Sequence, residues 1–425
     1  MLPGTCKKIL ILLVLGFLLP RFVLFAQNNT GNLPRRQGDN LTLKVAVMGP
    51  GDELYFWWGH IGLIAEDNRT GQSRFYDWGV FSFDNENFFL NFAFGRLIYT
   101  CTVTRAEYNY NSYIQRNRSI TLYTLDLDAE AKEAVLHFAE TNMLPENRDY
   151  SYHHFDDNCA TRIRDIVDLA INGQFKAKYG NESGRYTFRQ HVRRHTWFNP
   201  FFDWILCFWM GQRIDVPITV WDEMFLPSEI GRNIKDFSYI AADGKERPLV
   251  RSIEVLNVSK NRPAVLEAPR RQWPIQLLAS FIFSSLFFAF YFFRGDRKSF
   301  RITIGITQSL LGLFFGFAGS LLFFLMFFTN HDYTFDNINL LFVNPLFLAL
   351  IPLGIIHAFT GNEKKRGVSL KLMRYFWIYV LFAGLLTMLL KLFPPFYQQN
   401  QVDQALVLPI ALAMAVLFYR LEKKG

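Results

Sequence analysis

Five long apolar segments in the second half of the chain constrain its fold more than any other feature. A lipid bilayer has a hydrocarbon core about 30 Å thick, which a helix of roughly 20 apolar residues can span. The segments cover approximately 273–293, 302–328, 339–360, 374–394 and 404–420. Because lipid offers no hydrogen bonds to an open backbone, each segment is predicted to be a helix. Residues 271–425 are therefore expected to form an all-α membrane domain of five transmembrane helices.

The charges of the connecting loops predict the orientation of these helices. Lys and Arg are concentrated in 294–301 and 361–374 and in the C-terminal tail, whereas 329–339 and 394–403 contain neither. Basic loops stay in the cytoplasm. An odd number of spans then places residues 41–270 on the other side, so we expect a multi-pass protein of a bacterial inner membrane with a domain facing the periplasm.

The N-terminus gives the same orientation independently. Residues 1–26 combine two lysines, an apolar stretch and a small-residue exit, the pattern of a secretory signal peptide cleaved after Ala26. If it is retained, the same segment becomes an N-terminal anchor with its basic end inside. Under both alternatives, residues 41–270 are exported across the membrane. Residues 27–40 are polar and carry Gly and Pro, so they are predicted to be a linker.

Charge and cysteine content narrow the possible functions. The formal net charge of +8 arises largely from the cytoplasmic loops, so nucleic-acid binding is excluded for an exported domain. Four cysteines are present, of which Cys6 falls in the signal segment. The other three, Cys101, Cys159 and Cys207, are an odd number, so at least one thiol is unpaired in a monomer. A Cys101–Cys207 disulfide would leave Cys159 free, although the sequence leaves the pairing open.

Residues 41–270 are predicted to form an α+β domain. The segments "GHIGLIAED" and "SRFYDWGVFSF" are strand-like and are separated by "NRTG", which indicates a hairpin. The segment 129–144 has helical spacing. The aromatic run "NFFLNFAF" at 87–94 is expected to pack in the core, with insertion into the lipid interface as the alternative.

Cys159 is placed where a nucleophilic cysteine would be expected. In "DNCATRIRDIVDLAING", Asn158 is predicted as the N-cap of a helix and Cys159 as its first residue. The positive end of the helix dipole favours a thiolate over a thiol. The alternative is a small buried core residue. The polar residues on both sides of Cys159 argue against that alternative.

A cysteine nucleophile needs a base and a group that orients the base. His60, at the start of a strand and next to glycine, is the predicted general base. If the hairpin turns around Asn68–Gly71, residue 79 lies opposite residue 60, and strand alternation places Asp77 on the same face as His60. Asp77 is therefore the expected orienting carboxylate. The alternative is that His60 is a packed histidine of the hairpin.

Two further residues are candidates for substrate binding. Arg162 lies one turn beyond Cys159 on the same helix face, where it could hold a lipid phosphate or an oxyanion. A structural ion pair is the alternative for this arginine. Asn158 is the second candidate. Metal and cofactor sites are not expected, because the sequence has no HExxH, paired CxxC, P-loop or GxGxxG pattern.

The order of these motifs resembles a known family. A histidine strand that precedes a cysteine helix is similar to the circularly permuted papain-like (NlpC-type) fold and to the lecithin:retinol acyltransferase-like group. More closely, the chain resembles the Lnb family, the lipoprotein N-acyltransferases of Bacteroides-type bacteria. The motifs that carry this resemblance are "GHIGLI", "YDWGVFSFDNENF", "FAFGRLIY", "YSYHHFDDNCATRIRD", "YTFR" and "EMFLP".

The resemblance implies a thiol acyltransferase. Cys159 would take an acyl chain from a membrane phospholipid as a thioester, with His60 as general base. The N-terminal amine of a diacylated lipoprotein would then accept the chain. A membrane-tethered cysteine hydrolase, acting as a cell-wall peptidase, an amidase or a phospholipase, is the alternative enzyme. A non-enzymatic sensor or scaffold with a structural Cys159 is the third possibility.

Overall fold

The computed structural model describes residues 37–81, 87–295 and 297–424. The predicted signal segment 1–26, with Cys6, and residues 27–36 of the predicted linker lie outside the described residues. From Gln37 onwards the chain forms one compact unit.

An antiparallel sheet forms the centre of the N-terminal part. The strands are β1 (Leu41–Met48), β2 (His60–Asp67), β3 (Gln72–Val80), β4 (Ile98–Arg105), β5 (Ile120–Leu125), β6 (Asp149–Ser151), β7 (Ser238–Ile240), β8 (Glu246–Pro248) and β9 (Val250–Asn257). The spatial order of the sheet is β6-β4-β3-β2-β1-β5-β9, and a separate pair, β7-β8, lies outside it. Between β2 and β3 the pairing runs from Leu63 opposite Tyr76 to Asp67 opposite Gln72, which is the register assumed for the predicted hairpin.

Helices surround this sheet, so the α+β prediction is confirmed. Within the described residues, the helices of the N-terminal part are α1 (Phe88–Ala93), α2 (Ala106–Gln115), α3 (Ala129–Asn142), α4 (Cys159–Ala170), α5 (Gln174–Tyr179), α6 (Phe188–Thr196), α7 (Pro200–Trp209), α8 (Val220–Glu223) and α9 (Pro227–Lys235). Helices α3 and α4 cover the sheet with their buried apolar faces, and α4 packs across β2.

The segment 87–94 differs from its prediction. We expected it to pack in the core, but α1 carries Phe89, Leu90 and Phe92 with exposed fractions of 71%, 58% and 48%. A six-residue helix that buries none of its side chains cannot serve as core.

Among the described residues of the C-terminal part, five helical segments are long and apolar enough to cross a membrane, as predicted. The third is composite: 3₁₀ turns at Ile338–Leu341 and Pro345–Ala349 precede its α-helix. The fourth begins at Glu363 rather than near 374, because Asn362 caps a helix that continues through the basic segment. The α-helices are α10 (Trp273–Arg294), α11 (Lys298–Phe328), α12 (Leu350–Phe359), α13 (Glu363–Leu390) and α14 (Gln401–Lys424).

Buried polar contacts join the N-terminal part to the membrane helices. Helix α7 is apolar and packs into the core of the bundle, where Trp204 Nε1 donates to Asp403 Oδ1 at 2.9 Å. Asn339 Nδ2 donates to the carbonyl of Phe208 at 3.1 Å and to Asp403 Oδ2 at 3.2 Å. Because Asn339 and Asp403 are buried, these bonds are costly to break.

The outward loop 329–339 extends this contact surface towards the cysteine helix. Tyr333 donates from its hydroxyl to Asp156 Oδ1 at 2.9 Å, and His153 Nε2 donates to Asp332 Oδ1 at 3.0 Å. Gly211 N donates to the carbonyl of Tyr333 at 2.7 Å. The loop therefore holds the segment that leads directly into α4.

Replacing Trp204 by phenylalanine tests this docking. The change Trp204→Phe removes one donor to the buried Asp403 carboxylate, which should lower the free energy of unfolding by about 1–3 kcal/mol. Thermal unfolding in detergent micelles measures this loss. The control is Trp197→Phe, since Trp197 donates in the same way to the Ala264 carbonyl but at an exposed position. Equal shifts in the two variants would contradict the proposed importance of the buried contact.

Candidate active site

Cys159 is the first residue of α4, as predicted, and the cap that starts this helix is complete. Asn158 Oδ1 accepts from the backbone N–H groups of Ala160 at 2.8 Å and Thr161 at 3.0 Å. Thr161 Oγ1 accepts in return from the Asn158 N–H at 2.8 Å. This capping box fixes the position of Cys159 at the positive end of the helix dipole.

The two predicted substrate-binding residues have protein partners. Asn158 Nδ2 donates to the carbonyls of His154 at 2.8 Å and Phe225 at 3.1 Å, so its amide is used at both ends. Arg162 forms a two-pronged bond with Asp157 at 2.6 and 2.7 Å and lies 4.4 Å from the centre of the Tyr150 ring. Arg162 is thus in an ion pair with Asp157, and its role in substrate binding stays a prediction.

His60 and Asp77 lie side by side on neighbouring strands. His60 Nε2 donates to Asp77 Oδ1 at 2.9 Å. The same oxygen accepts from the Gly79 N–H at 2.8 Å, which fixes the carboxylate. Because Nε2 is engaged with a carboxylate that can only accept, Nδ1 is the nitrogen left for proton exchange with a nucleophile. The structure thus brings together the two residues that the hairpin register predicted.

Gly79 explains how the cysteine reaches this pair. A Cβ atom built on Gly79 would lie 2.5 Å from His60 Cε1, 3.3 Å from His60 Nδ1 and 3.4 Å from Cys159 Cβ. The imidazole edge and the cysteine side chain therefore face the same small space, which a side chain at position 79 would fill. A β-bulge between Asp77 and Val80 distorts the pairing with β4 at this point. Bulges of this kind re-aim side chains beside active sites.

The environment of His60 favours its protonated form. Burial lowers the pKa of the imidazole. Electrostatic interactions with Asp77, Tyr113 and Cys159 and the hydrogen bond to Asp77 raise it by more, so the pKa lies well above its usual value. Cys159, His60 and Asp77 are each 9% exposed. An imidazolium in so dry a site is stable only beside negative charge, which the Asp77 carboxylate supplies.

Tyrosines that the sequence analysis did not single out surround the thiol. Tyr99 and Tyr152 stack with ring centres 4.0 Å apart and pack against the core cluster that contains Cys159. Burial raises the pKa of both hydroxyls, and negative charge on Cys159 raises it further. The ring of Tyr113 lies 6.3 Å from that of His60. The surroundings of the site are therefore aromatic, with neutral phenols whose hydroxyl groups can donate.

Arg118 is another residue near the site that the sequence did not point to. Its guanidinium is fully buried between the rings of Phe56 and Tyr113, at 4.5 and 4.8 Å from their centres. Nε donates to the carbonyl of Gly49 at 2.9 Å, whereas Nη1 and Nη2 have no hydrogen-bond partner among the described residues.

The sequence offered a signal for Gly79, because a glycine inside a predicted strand often marks a bulge or a close approach of another group. Arg118 lies in the loop between α2 and β5, where an arginine is expected to be exposed, so its sequence position gives no signal of burial.

The other histidines and cysteines of this part have different surroundings. His191 bonds to Glu223 at 2.9 Å, and His195 Nδ1 bonds to the carbonyl of Trp57 at 2.9 Å. Cys101, Cys159 and Cys207 are all free and buried, so the disulfide considered for Cys101 and Cys207 is absent from the described chain. Burial raises the pKa of the Cys207 thiol to about 12.

Comparison with known proteins identifies both parts of the chain. The profile of the Lnb N-terminal periplasmic domain matches residues 34–194, and that of the Lnb transmembrane domain matches residues 272–424. No curated protein and no solved structure matches the chain significantly. The two profiles follow each other in the same order as the two parts of the fold.

The space beside Gly79 gives a direct test of the site. In Gly79→Ala the new methyl group would meet His60 Cε1 at 2.5 Å and must displace the imidazole from Cys159. We expect alkylation of Cys159 by iodoacetamide near neutral pH to slow by about tenfold or more, because the thiolate loses its cationic partner. Mass spectrometry of the labelled peptide identifies the modified cysteine. The control is Gly367→Ala, where nothing lies within 4 Å of the new methyl group. An unchanged rate in Gly79→Ala would contradict the geometry.

The raised pKa of His60 predicts a pH-dependent stability. Protonated His60 is stabilised in the fold by Asp77, so this stabilisation is complete below the unfolded pKa of about 6.5 and is lost as pH rises through the folded pKa. Asp77→Asn should therefore lower the unfolding temperature most at about pH 6 and progressively less at higher pH. In a His60→Ala background the same change should give a shift that does not vary with pH in this range. A constant shift in both backgrounds would contradict the His60 assignment.

Proposed function

We propose, from the premise that this chain belongs to the Lnb family, that it is a lipoprotein N-acyltransferase. Family membership indicates a membrane-associated enzyme that modifies lipoproteins and has a periplasmic domain. In the finer proposal, the enzyme lies in the inner membrane and moves a fatty acyl chain from a phospholipid to the N-terminal amine of a diacylated lipoprotein. The observation that carries it is the cluster of Cys159, His60 and Asp77 in a part of the chain docked on a five-helix bundle.

The first half-reaction would acylate the enzyme. The Cys159 thiolate attacks the carbonyl carbon of a phospholipid ester, so that a C–S bond forms and the ester C–O bond breaks. The leaving lysophospholipid oxygen takes a proton from the His60 imidazolium through Nδ1. Asp77 holds the ring by Nε2 throughout, which is the role of the orienting member in such triads.

Two groups support stabilisation of the oxyanion in this step. The N–H of Cys159 is at the first position of α4, where a backbone N–H has no acceptor within its own helix. Arg118 adds a buried positive charge whose Nη groups lack a partner among the described residues. Charge of this kind in a dry site acts more strongly than in water.

The second half-reaction would transfer the chain. The neutral α-amine of the lipoprotein attacks the thioester, forming an amide bond as the C–S bond breaks. His60, now neutral, accepts the proton released by the amine, and the thiolate–imidazolium pair is restored. Both substrates are held in the membrane by acyl chains, so an active site docked on a membrane bundle meets them on one surface. The chemistry requires no cofactor.

Two substitutions test the proposal in a strain that lacks lipoprotein N-acylation. Wild-type protein should add an acyl chain to lipoprotein N-termini, as measured by mass spectrometry. Cys159→Ala should remove the product completely, because no thioester can form. His60→Ala should lower it by about 10²–10⁴-fold, the usual contribution of a general base.

The control variants and the alternative functions are tested in the same strain. Cys207→Ala removes another buried thiol, and His137→Ala removes an exposed histidine on α3; both should retain activity. No added chain from well-expressed wild-type protein would overturn the transferase. Changed muropeptides or accumulated lysophospholipid in that case would favour a hydrolase. Full activity in Cys159→Ala would leave only a structural role for the thiol.

A further inference from the structure

Helix α1 presents an apolar surface to the outside of the protein. Phe89 is its most exposed side chain at 71%, followed by Leu90 and Phe92, and the helix has no acidic or basic residue in its terminal turns. Water solvates such a surface poorly, whereas an apolar face on a short helix is suited to the boundary between lipid headgroups and acyl chains.

Contacts fix α1 beside the outer end of the membrane helix α11. The ring of Phe94, which follows α1, lies 5.6 Å from that of Phe324 in α11. Asn330 N donates to the carbonyl of Phe94 at 2.9 Å, and His331 Nε2 donates to the carbonyl of Phe92 at 3.0 Å. The helix is therefore held at the level at which α11 leaves the membrane.

The length of α11 places this level at the membrane interface. Arg301 is the last basic residue near its cytoplasmic end, and about 20 residues beyond it, near Leu322, the hydrocarbon core is crossed. Phe323, Phe327 and Phe328 follow with exposed side chains on the outer turns. The exposed face of α1 thus continues the lipid-facing surface of α11, which commits it to lipid rather than to a soluble partner.

A line of aromatic rings leads from α1 towards Cys159. The ring of Phe88 in α1 stacks on that of Phe81 at 5.8 Å, and Phe81 lies 5.0 Å from Tyr99. Tyr99 stacks on Tyr152 at 4.0 Å, and both pack against the core cluster that contains Cys159. Aromatic faces can bind an acyl chain without specific hydrogen bonds, and this line of rings joins α1 to the core cluster that contains Cys159.

We propose that α1 lies in the outer leaflet of the membrane and that the acyl chain of the donor lipid binds along Phe81, Tyr99 and Tyr152 to reach Cys159. The site takes a long-chain acyl ester of a membrane lipid. This inference rests on the proposed acyl transfer and adds the place of entry and the binding surface for the chain.

The test compares a donor in a bilayer with a soluble donor. Full-length protein in vesicles of phosphatidylethanolamine and phosphatidylglycerol is quenched with acid, and acylation of Cys159 is measured by mass spectrometry. The soluble donor is p-nitrophenyl butyrate. In Phe89→Asp/Leu90→Asp the ratio of vesicle rate to soluble rate should fall by about tenfold or more, because two side chains lose their burial in lipid.

The matched control is Ile253→Asp/Val255→Asp. These residues are 50% and 58% exposed and lie on β9, the strand at the opposite edge of the sheet from β4 and β6. The control should keep the wild-type ratio. A wild-type ratio in the α1 variant, or equal losses with both donors, would overturn the inference. Wild-type protein that is acylated by neither donor would instead overturn the proposed function.

A second measurement does not depend on turnover. The Cys159→Ala variant is placed in vesicles that contain phosphatidylcholine with a diazirine on one acyl chain, and is then irradiated. Cross-links should be found in α1 and at Phe81 or Tyr99, and they should be lost from Phe81 and Tyr99 in the α1 variant. Cross-links confined to α10–α14 would overturn the inference.

Discussion

The docking of the N-terminal part on the membrane helices is the constraint on which the rest of the structure depends. Asp403 in α14 accepts hydrogen bonds from Trp204 and Asn339, and all three residues are buried. Since water does not reach them, loss of one partner leaves a buried polar group without a hydrogen bond. Unpaired polar groups at such a depth are costly, which makes the arrangement all-or-none rather than adjustable. The outward loop continues the contact to Asp156 through Tyr333. Because Asp156 is three residues before Cys159, the same contacts set the position of Cys159 relative to the membrane helices.

The site itself is a balance of buried charge. A protonated His60 would be unstable at 9% exposure without the Asp77 carboxylate beside it. Gly79 supplies the space in which these groups meet, and its own N–H fixes the carboxylate of Asp77. The fold therefore stabilises the His60–Asp77 ion pair by holding the two side chains in fixed positions.

Much of the fold could be predicted from the sequence because its signals are local. The five membrane segments are read from apolar length, and the start of α4 from Asn158 followed by helical spacing. The alignment of Asp77 with His60 followed from a hairpin whose turn residues fix its register. Arg118 could not be found in this way, because its burial comes from elements distant in sequence. Helix α1 is exposed rather than in the predicted core for a related reason: composition does not distinguish an exposed apolar surface from a buried one.

The aromatic surroundings of Cys159 bear on the choice between transfer and hydrolysis. A thioester is attacked by water as well as by an amine, so an acyltransferase must keep the intermediate dry until the acceptor arrives. The stacked rings of Tyr99 and Tyr152 pack against the core cluster that contains Cys159, and in the proposed binding mode an acyl chain lying over them would exclude water from this region. In the proposed transfer, the acceptor amine belongs to a lipid-anchored polypeptide and would approach along the same aromatic surface, whereas bulk water would have to be desolvated to do so. A site reached from the lipid in this way would select an amine carried by the membrane, even though the catalytic residues alone would serve a hydrolase equally well.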